Sequence, residues 1–185
     1  MKFINSLIGT ILDFFEIAIV SAAVFFVVYL FIGQLLEVTG DSMYPNFLDK
    51  ERIIAEKVSK KFVDIKRGDV VIVEHPLETD KLLIKRVIGL PGETIEILYD
   101  RVYINGSALS EPYLSPGTLT KPEQAILEGV KYKIPDDSYV VMGDNREKST
   151  DSREWGYVSK DKVVGRVMLV YYPLNRIRFV GRSLF

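Results

Sequence analysis

The sequence predicts an all-β domain, mostly antiparallel and carrying a hairpin insertion, preceded by a single N-terminal transmembrane helix. Three observations predict this. Ile17 to Leu36 is an apolar run of 20 residues without a charge, matching the roughly 20 residues that a membrane-spanning helix needs. Beyond it, short β-branched runs alternate with Gly and Pro punctuation, the spacing expected of strands in an all-β domain. Finally, Asn105-Gly106 follows the run Thr94 to Ile104, and this dipeptide suits the two-residue hairpin turn in which both positions need positive φ. The predicted division is a lead-in over 1–13, an anchor over 14–36 and a β-rich domain over 37–185, with the insertion over 94–138.

The lead-in places Phe3, Ile4, Leu7, Ile8, Ile11, Leu12 and Phe15 at helical spacing, so it either lies on the membrane or extends the anchor helix. A cleavable secretory leader would need a basic start, an apolar core of about 7–15 residues and a small-x-small exit. Here Lys2 is the only early basic residue, the run is too long, and Ser21-Ala22-Ala23 lies inside it. An uncleaved anchor fits better. After Ser42 the period changes to that of strands, at Arg52–Ala55, Asp69–Val73 and Lys81–Ile88, bounded by Arg67-Gly68-Asp69, His75-Pro76 and Leu90-Pro91-Gly92. Ser110 to Val130 contains Pro112, Pro116 and Pro122 and predicts loops, with a helical turn near Pro122–Ala125. Strands resume at Ser138–Met142 and Val163–Tyr172, where Pro173 stops the run.

Composition limits the chemistry. A chain of 185 residues holds an anchor and one domain of moderate size. Its net charge of −1 and the absence of any basic run give no electrostatic case for nucleic acid binding. With no cysteine and only His75 as an imidazole, the chain has no thiolate nucleophile and no His-rich metal site. No metal or cofactor is expected.

Ser42 lies five residues beyond the apolar run, in Val38-Thr39-Gly40-Asp41-Ser42-Met43-Tyr44-Pro45. Five residues reach at most about 17 Å, so an anchor in a bilayer would hold Ser42 at its surface. A serine nucleophile needs a base, an oxyanion site and a group that orients the base. His75 reads as a turn residue before Pro76. Lys85 is the other base, flanked by Leu82, Leu83, Ile84, Val87 and Ile88, and burial among apolar groups favours the neutral amine. Periodicity alone, however, favours an outward-facing Lys85. Most other lysines, such as Lys60-Lys61, lie in polar stretches. The segment Gly143 to Arg153 gathers hydrogen-bonding groups after a strand, without the spacing of an EF-hand. Ser159-x-x-Lys162 matches a β-lactamase pattern whose companion motifs are absent.

Together, the anchor, Gly40–Pro45, Arg67–Val71, Lys85–Gly92 and Gly143–Arg146 through Asp151–Arg153 resemble the type I signal peptidases, membrane-anchored Ser–Lys serine proteases. The resemblance implies Ser42 as nucleophile and Lys85 as general base. It implies that Ser149 orients the amine, and that Asp151 with Arg153 and Asp144 with Arg146 brace the loop. It also implies cleavage of signal peptides from exported preproteins after an Ala-x-Ala-like site, at the extracytoplasmic side of a cell membrane that the chain crosses once. Two positions depart from the pattern. Asn46 stands where many members have threonine, with little effect expected. Gly40 stands where some have an oxyanion-binding serine, so the Ser42 amide needs a second donor from elsewhere. Val38, Met43, Leu83 and Ile84, beside Ser42 and Lys85 in sequence, are expected to wall the substrate site. Three other functions remain open: a non-catalytic peptide-binding protein of the same fold, a self-cleaving relative, or a protease that uses His75.

Overall fold

The computed structural model describes residues 2–32, 34–57, 65–78 and 80–181. Its two compact units are residues 1–33 and 34–185. The first unit is helix α1, Lys2–Ile32, which runs without a break between the expected lead-in and anchor. Its side chains are described over residues 9–25, so Phe3, Ile4, Leu7 and Ile8 lie outside the described residues, as do Lys60 and Lys61. In the described part Phe14, Phe15, Ile17, Ile19, Val24 and Phe25 are all well exposed. Among the described residues no helix is long and apolar enough to cross a membrane.

The expected anchor boundary at Leu36 is corrected. Gln34–Glu37 forms strand β1, antiparallel to β2, Arg52–Lys57, with Leu36 opposite Ile53. Leu36 packs against the core around Val38 and Met43 while Leu35 is exposed. That alternation is the two-residue period of a strand with one buried face.

The second unit contains two sheets, and every strand pairing within them is antiparallel. The larger comprises β1, β2, β3 (Val70–Glu74), β4 (Leu82–Gly89), β9 (Ser138–Met142), β10 (Val158–Ser159), β11 (Val163–Tyr172) and β12 (Arg178–Phe179). Its order is β1-β2-β11-β3-β4-β9-β10, with β12 pairing β11. The smaller sheet has the order β7-β6-β5-β8, built from β5 (Thr94–Leu98), β6 (Arg101–Ile104), β7 (Ser107–Ala108) and β8 (Tyr132–Lys133). Asn105 and Gly106 adopt φ of 51° and 82° between β6 and β7. A second two-residue turn, at Tyr99 and Asp100 with φ of 50° and 58°, divides Thr94 to Ile104 into two strands. Asp tolerates this region through local hydrogen bonding, and Tyr99 points to solvent. Residues 122–125 form no helix; Glu123 and Ile126 instead make an isolated bridge.

Ile88, Val140 and Met142 pack with Ile95, Ile97, Val102, Ile104 and Ile134, which seats the small sheet on β4 and β9. A second cluster, including Val38, Met43, Phe47, Ile53, Val70 and Val167, lies beneath the Ser42 turn. Met43 is fully buried there and Val38 nearly so, which corrects the expectation that they wall an open site: they support the turn from below. Met43→Ala should therefore lower stability by about 2–5 kcal/mol, the usual cost of such a cavity. Thermal melting measures this, and an unchanged melting temperature would contradict the packing.

Candidate active site

Ser42 opens a tight turn in which the Tyr44 amide donates to Asp41 O (3.1 Å) and the Phe47 amide to Met43 O (2.9 Å). Burial of Met43 and Phe47 anchors this turn. The loop after β9 holds its upper side: the Asn145 amide donates to Ser42 O at 3.0 Å, and Asn145 Nδ2 donates to Asp41 O at 3.1 Å. Gly143 lies against the same point. A side-chain carbon there would collide with Ser42 O and with Ser149 Oγ, so only glycine lets these two oxygens approach each other.

Lys85 occupies the middle of β4, opposite Val71 of β3. It is 2% exposed, and its Nζ donates to Ser149 Oγ at 2.9 Å. Burial lowers its pKa to about 8; Asp151 and Asp144 oppose that shift, while Arg153 and Lys81 add to it. The amine is therefore neutral in a useful fraction near neutral pH, as a general base must be. The Ser42 turn and the lysine thus converge on residues 143–149.

Asp151 and Arg153 are paired and buried. Asp151 Oδ1 accepts from Arg153 Nε at 2.8 Å, and Oδ2 accepts from Nη2 at 2.9 Å and from the Gly143 amide at 3.0 Å. Asp144 and Arg146 do not pair with each other, which corrects the expected pairing, although Arg146 Nε donates to Gly143 O of the same loop at 3.1 Å. Arg86 lies opposite Met142, one turn of chain from Asp144, and takes both carboxylate oxygens at 2.7 and 2.6 Å. Arg146 turns instead to Glu111 at 2.5 Å, Thr120 and the Tyr113 hydroxyl. The partner of Asp144 is 58 residues away, beyond any local pattern. The available signal was that Arg86 interrupts an apolar strand as sharply as Lys85 does.

A family model described as "Signal peptidase, peptidase S26" matches residues 11–172. The chain belongs to this family. A signal peptidase I of Bacillus amyloliquefaciens is 36% identical to the chain over 174 residues, covering 92% of each. Signal peptidase I T of Bacillus subtilis is 41% identical over 155 residues, 81% of this chain and 78% of its own. A signal peptidase I of Leptolyngbya laminosa is 37% identical over 161 residues, 82% of this chain and 74% of its own.

The remaining residues of this S26 family chain divide into committed and open groups. His75 is buried, and its Nδ1 accepts from the Leu77 and Glu78 amides, both at 3.1 Å. Its ring lies 5.8 Å from Trp155, so it closes a turn. Gly40 has φ of 86°, and its amide donates to Asp49 Oδ1 at 2.8 Å, so that donor is already taken. Among the described residues no hydrogen bond takes the Ser42 amide. Ile84 is half-buried beside Val38 and Met43, whereas Leu83 packs with a different cluster, around Val71 and Val87. Among the described residues no cluster of three His, Asp or Glu side chains could hold a metal ion.

Proposed function

We propose that the chain is a membrane-anchored serine endopeptidase that removes signal peptides from exported preproteins, with Ser42 as nucleophile and Lys85 as general base. The observation that carries this reading is the buried Lys85 amine, held by Ser149 on the loop that also grips Ser42 O. Neutral Lys85 takes the Ser42 proton as Oγ attacks the scissile carbonyl. The protonated amine then returns that proton to the leaving nitrogen, and water repeats the cycle on the acyl-enzyme. The Ser42 amide supplies one oxyanion donor. Ser149 holds the lysine on axis, and the Asp151–Arg153 pair holds the loop.

The exposed apolar side chains of α1 support an anchor, because lipid would cover what water leaves unfavourably solvated. By family resemblance the catalytic unit lies on the extracytoplasmic side. A non-catalytic peptide-binding role is disfavoured, since a buried lysine of lowered pKa adds nothing to binding.

The substrate should add as a strand. β9 pairs with β4 only from Arg86 onward, so Leu82–Lys85 keeps an edge without a strand among the described residues. In an extended peptide alternate side chains point the same way. The first and third residues before the cut would then face the half-buried Ile84 beside the Ser42 turn, where small side chains such as those of Ala-x-Ala fit. In a membrane-inserted model preprotein, Phe at the first or third position before the cut should abolish cleavage, whereas Phe at the second should not. Equal tolerance at all three would refute strand addition, and cleavage by Ser42→Ala would refute the nucleophile.

A further inference from the structure

We infer that Asn46, four residues after the nucleophile, is a positioning residue for the reaction: its side-chain amide ties the Ser42 turn to Asp144 and to Tyr113. The inference rests on the Ser42–Lys85 reading above and deepens it. Asn46 Nδ2 donates to Tyr113 O and to Asp144 Oδ2, both at 2.8 Å. A carbonyl and a carboxylate facing one atom require a donor there, so the two acceptors themselves set the orientation of the amide. An NH2 group has two hydrogens and satisfies both acceptors. The hydroxyl of a threonine has one and can satisfy only one.

These acceptors matter because of what else they hold. Asp144 is buried and also receives both arms of Arg86, the residue after Lys85 in β4. Tyr113 lies beneath the Arg86 guanidinium, 4.3 Å from ring centre to carbon. Asn46 therefore joins three separated parts of the chain: the nucleophile turn, the base strand and the segment around Tyr113. Its own carbonyl accepts from Arg178 Nη2 at 2.5 Å. The Ser42 turn is gripped at its near end by Asn145 and at its far end by Asn46. Removing the Asn46 amide frees the far end and leaves the buried Tyr113 carbonyl without this donor. It also leaves the Asp144 charge less balanced. The charges acting on Lys85 are Asp151 and Asp144, which favour the ammonium, and Arg153 and Lys81, which oppose it. A less neutralised Asp144 moves the lysine toward protonation.

Steady-state kinetics and pH–rate profiles of the full chain with a signal-peptide substrate test this, using Asn46→Ala and Asn46→Thr. Asn46→Ala should lose about 10–100-fold in kcat, the scale of a small misplacement of reacting groups, with KM little changed. The midpoint of its pH–rate rise should move to higher pH, which a purely structural defect would not cause. Asn46→Thr should fall between Ala and the parent on both measures. A parental kcat in Asn46→Ala, or a loss of rate with the midpoint unmoved, would overturn the role. If Asn46→Ala does not fold, Asn46→Thr decides: parental kcat and midpoint overturn the role, and an intermediate rate with a raised midpoint supports it. Turnover by Lys85→Ala would sink the underlying dyad. An inactive Lys85→Ala beside an unaffected Asn46→Ala would sink only the part assigned to Asn46.

Discussion

Lys85→Ala should abolish turnover, by roughly 10⁴-fold or more as for other dismantled nucleophile–base pairs, while His75→Ala leaves it largely intact. His75 already spends Nδ1 on two turn amides, and Lys85 has a pKa of about 8. The parental rate should climb through pH 8 and level off above it. Arginine at position 85 should also fail, because a guanidinium does not deprotonate in proteins. Ser149→Ala should retain some activity, at a loss of about 10²–10⁴-fold. Activity lost in His75→Ala and kept in Lys85→Ala would end the dyad. The same lysine affects stability. Its folded pKa lies below the unfolded value of 10.5, so between the two the unfolded chain binds more protons and stability rises with pH. Below pH 8 the buried ammonium costs roughly 3 kcal/mol. Lys85→Met should therefore be more resistant to denaturant than the parent at pH 7, with the advantage fading above pH 10.

Asp151→Ala should destabilise the domain by about 3–5 kcal/mol, the cost of leaving a buried partner charge uncompensated. Arg153 is 1% exposed and Asp151 fully buried. Burial resists ionisation of Asp151, but the Arg153 hydrogen bonds and charge outweigh it and hold the carboxyl below its usual pKa. The stabilisation is thus present above the unfolded pKa of about 4 and is lost as pH falls through the folded one. Losing Asp151 also removes the strongest attraction holding a proton on Lys85. The pH–rate rise of this variant should shift to lower pH. Urea denaturation at pH 7 checks the stability loss, and an unchanged midpoint would show that the half-buried Glu123, 3.4 Å from Arg153 Nη1, suffices as its partner.

The parts of the site legible in the sequence were those carried by residues out of keeping with their neighbours. Lys85 stands out because an ammonium within an apolar run needs a reason, yet periodicity alone favoured pointing it outward. Its amine is met by Ser149, 64 residues further on in the loop after β9, a long-range fact. Asn105-Gly106 was legible because its backbone demand is local, and Tyr99-Asp100 was not, because Tyr advertises no turn. The pairing of Asp144 was misassigned for a related reason. Arg146 is near in sequence, but the antiparallel register of β4 and β9 delivers Arg86 to the carboxylate first. Asn46 carried no visible signal, since its two acceptors lie 67 and 98 residues away.

The Glu51–Arg178 clamp gives the domain a sense of time. Glu51 is buried and accepts from Arg176 and Arg178, and Arg178 also grips Asn46 O. Arg178 lies 132 residues after Asn46. A ribosome adding about 5–20 residues per second delivers it on the order of ten seconds after Asn46. Tyr113 and Asp144, the other partners of Asn46, emerge before Arg178, so the Arg178 contact is the last of these Asn46 contacts that synthesis can complete. The turn is therefore fully tied only once β12 has docked beside β11.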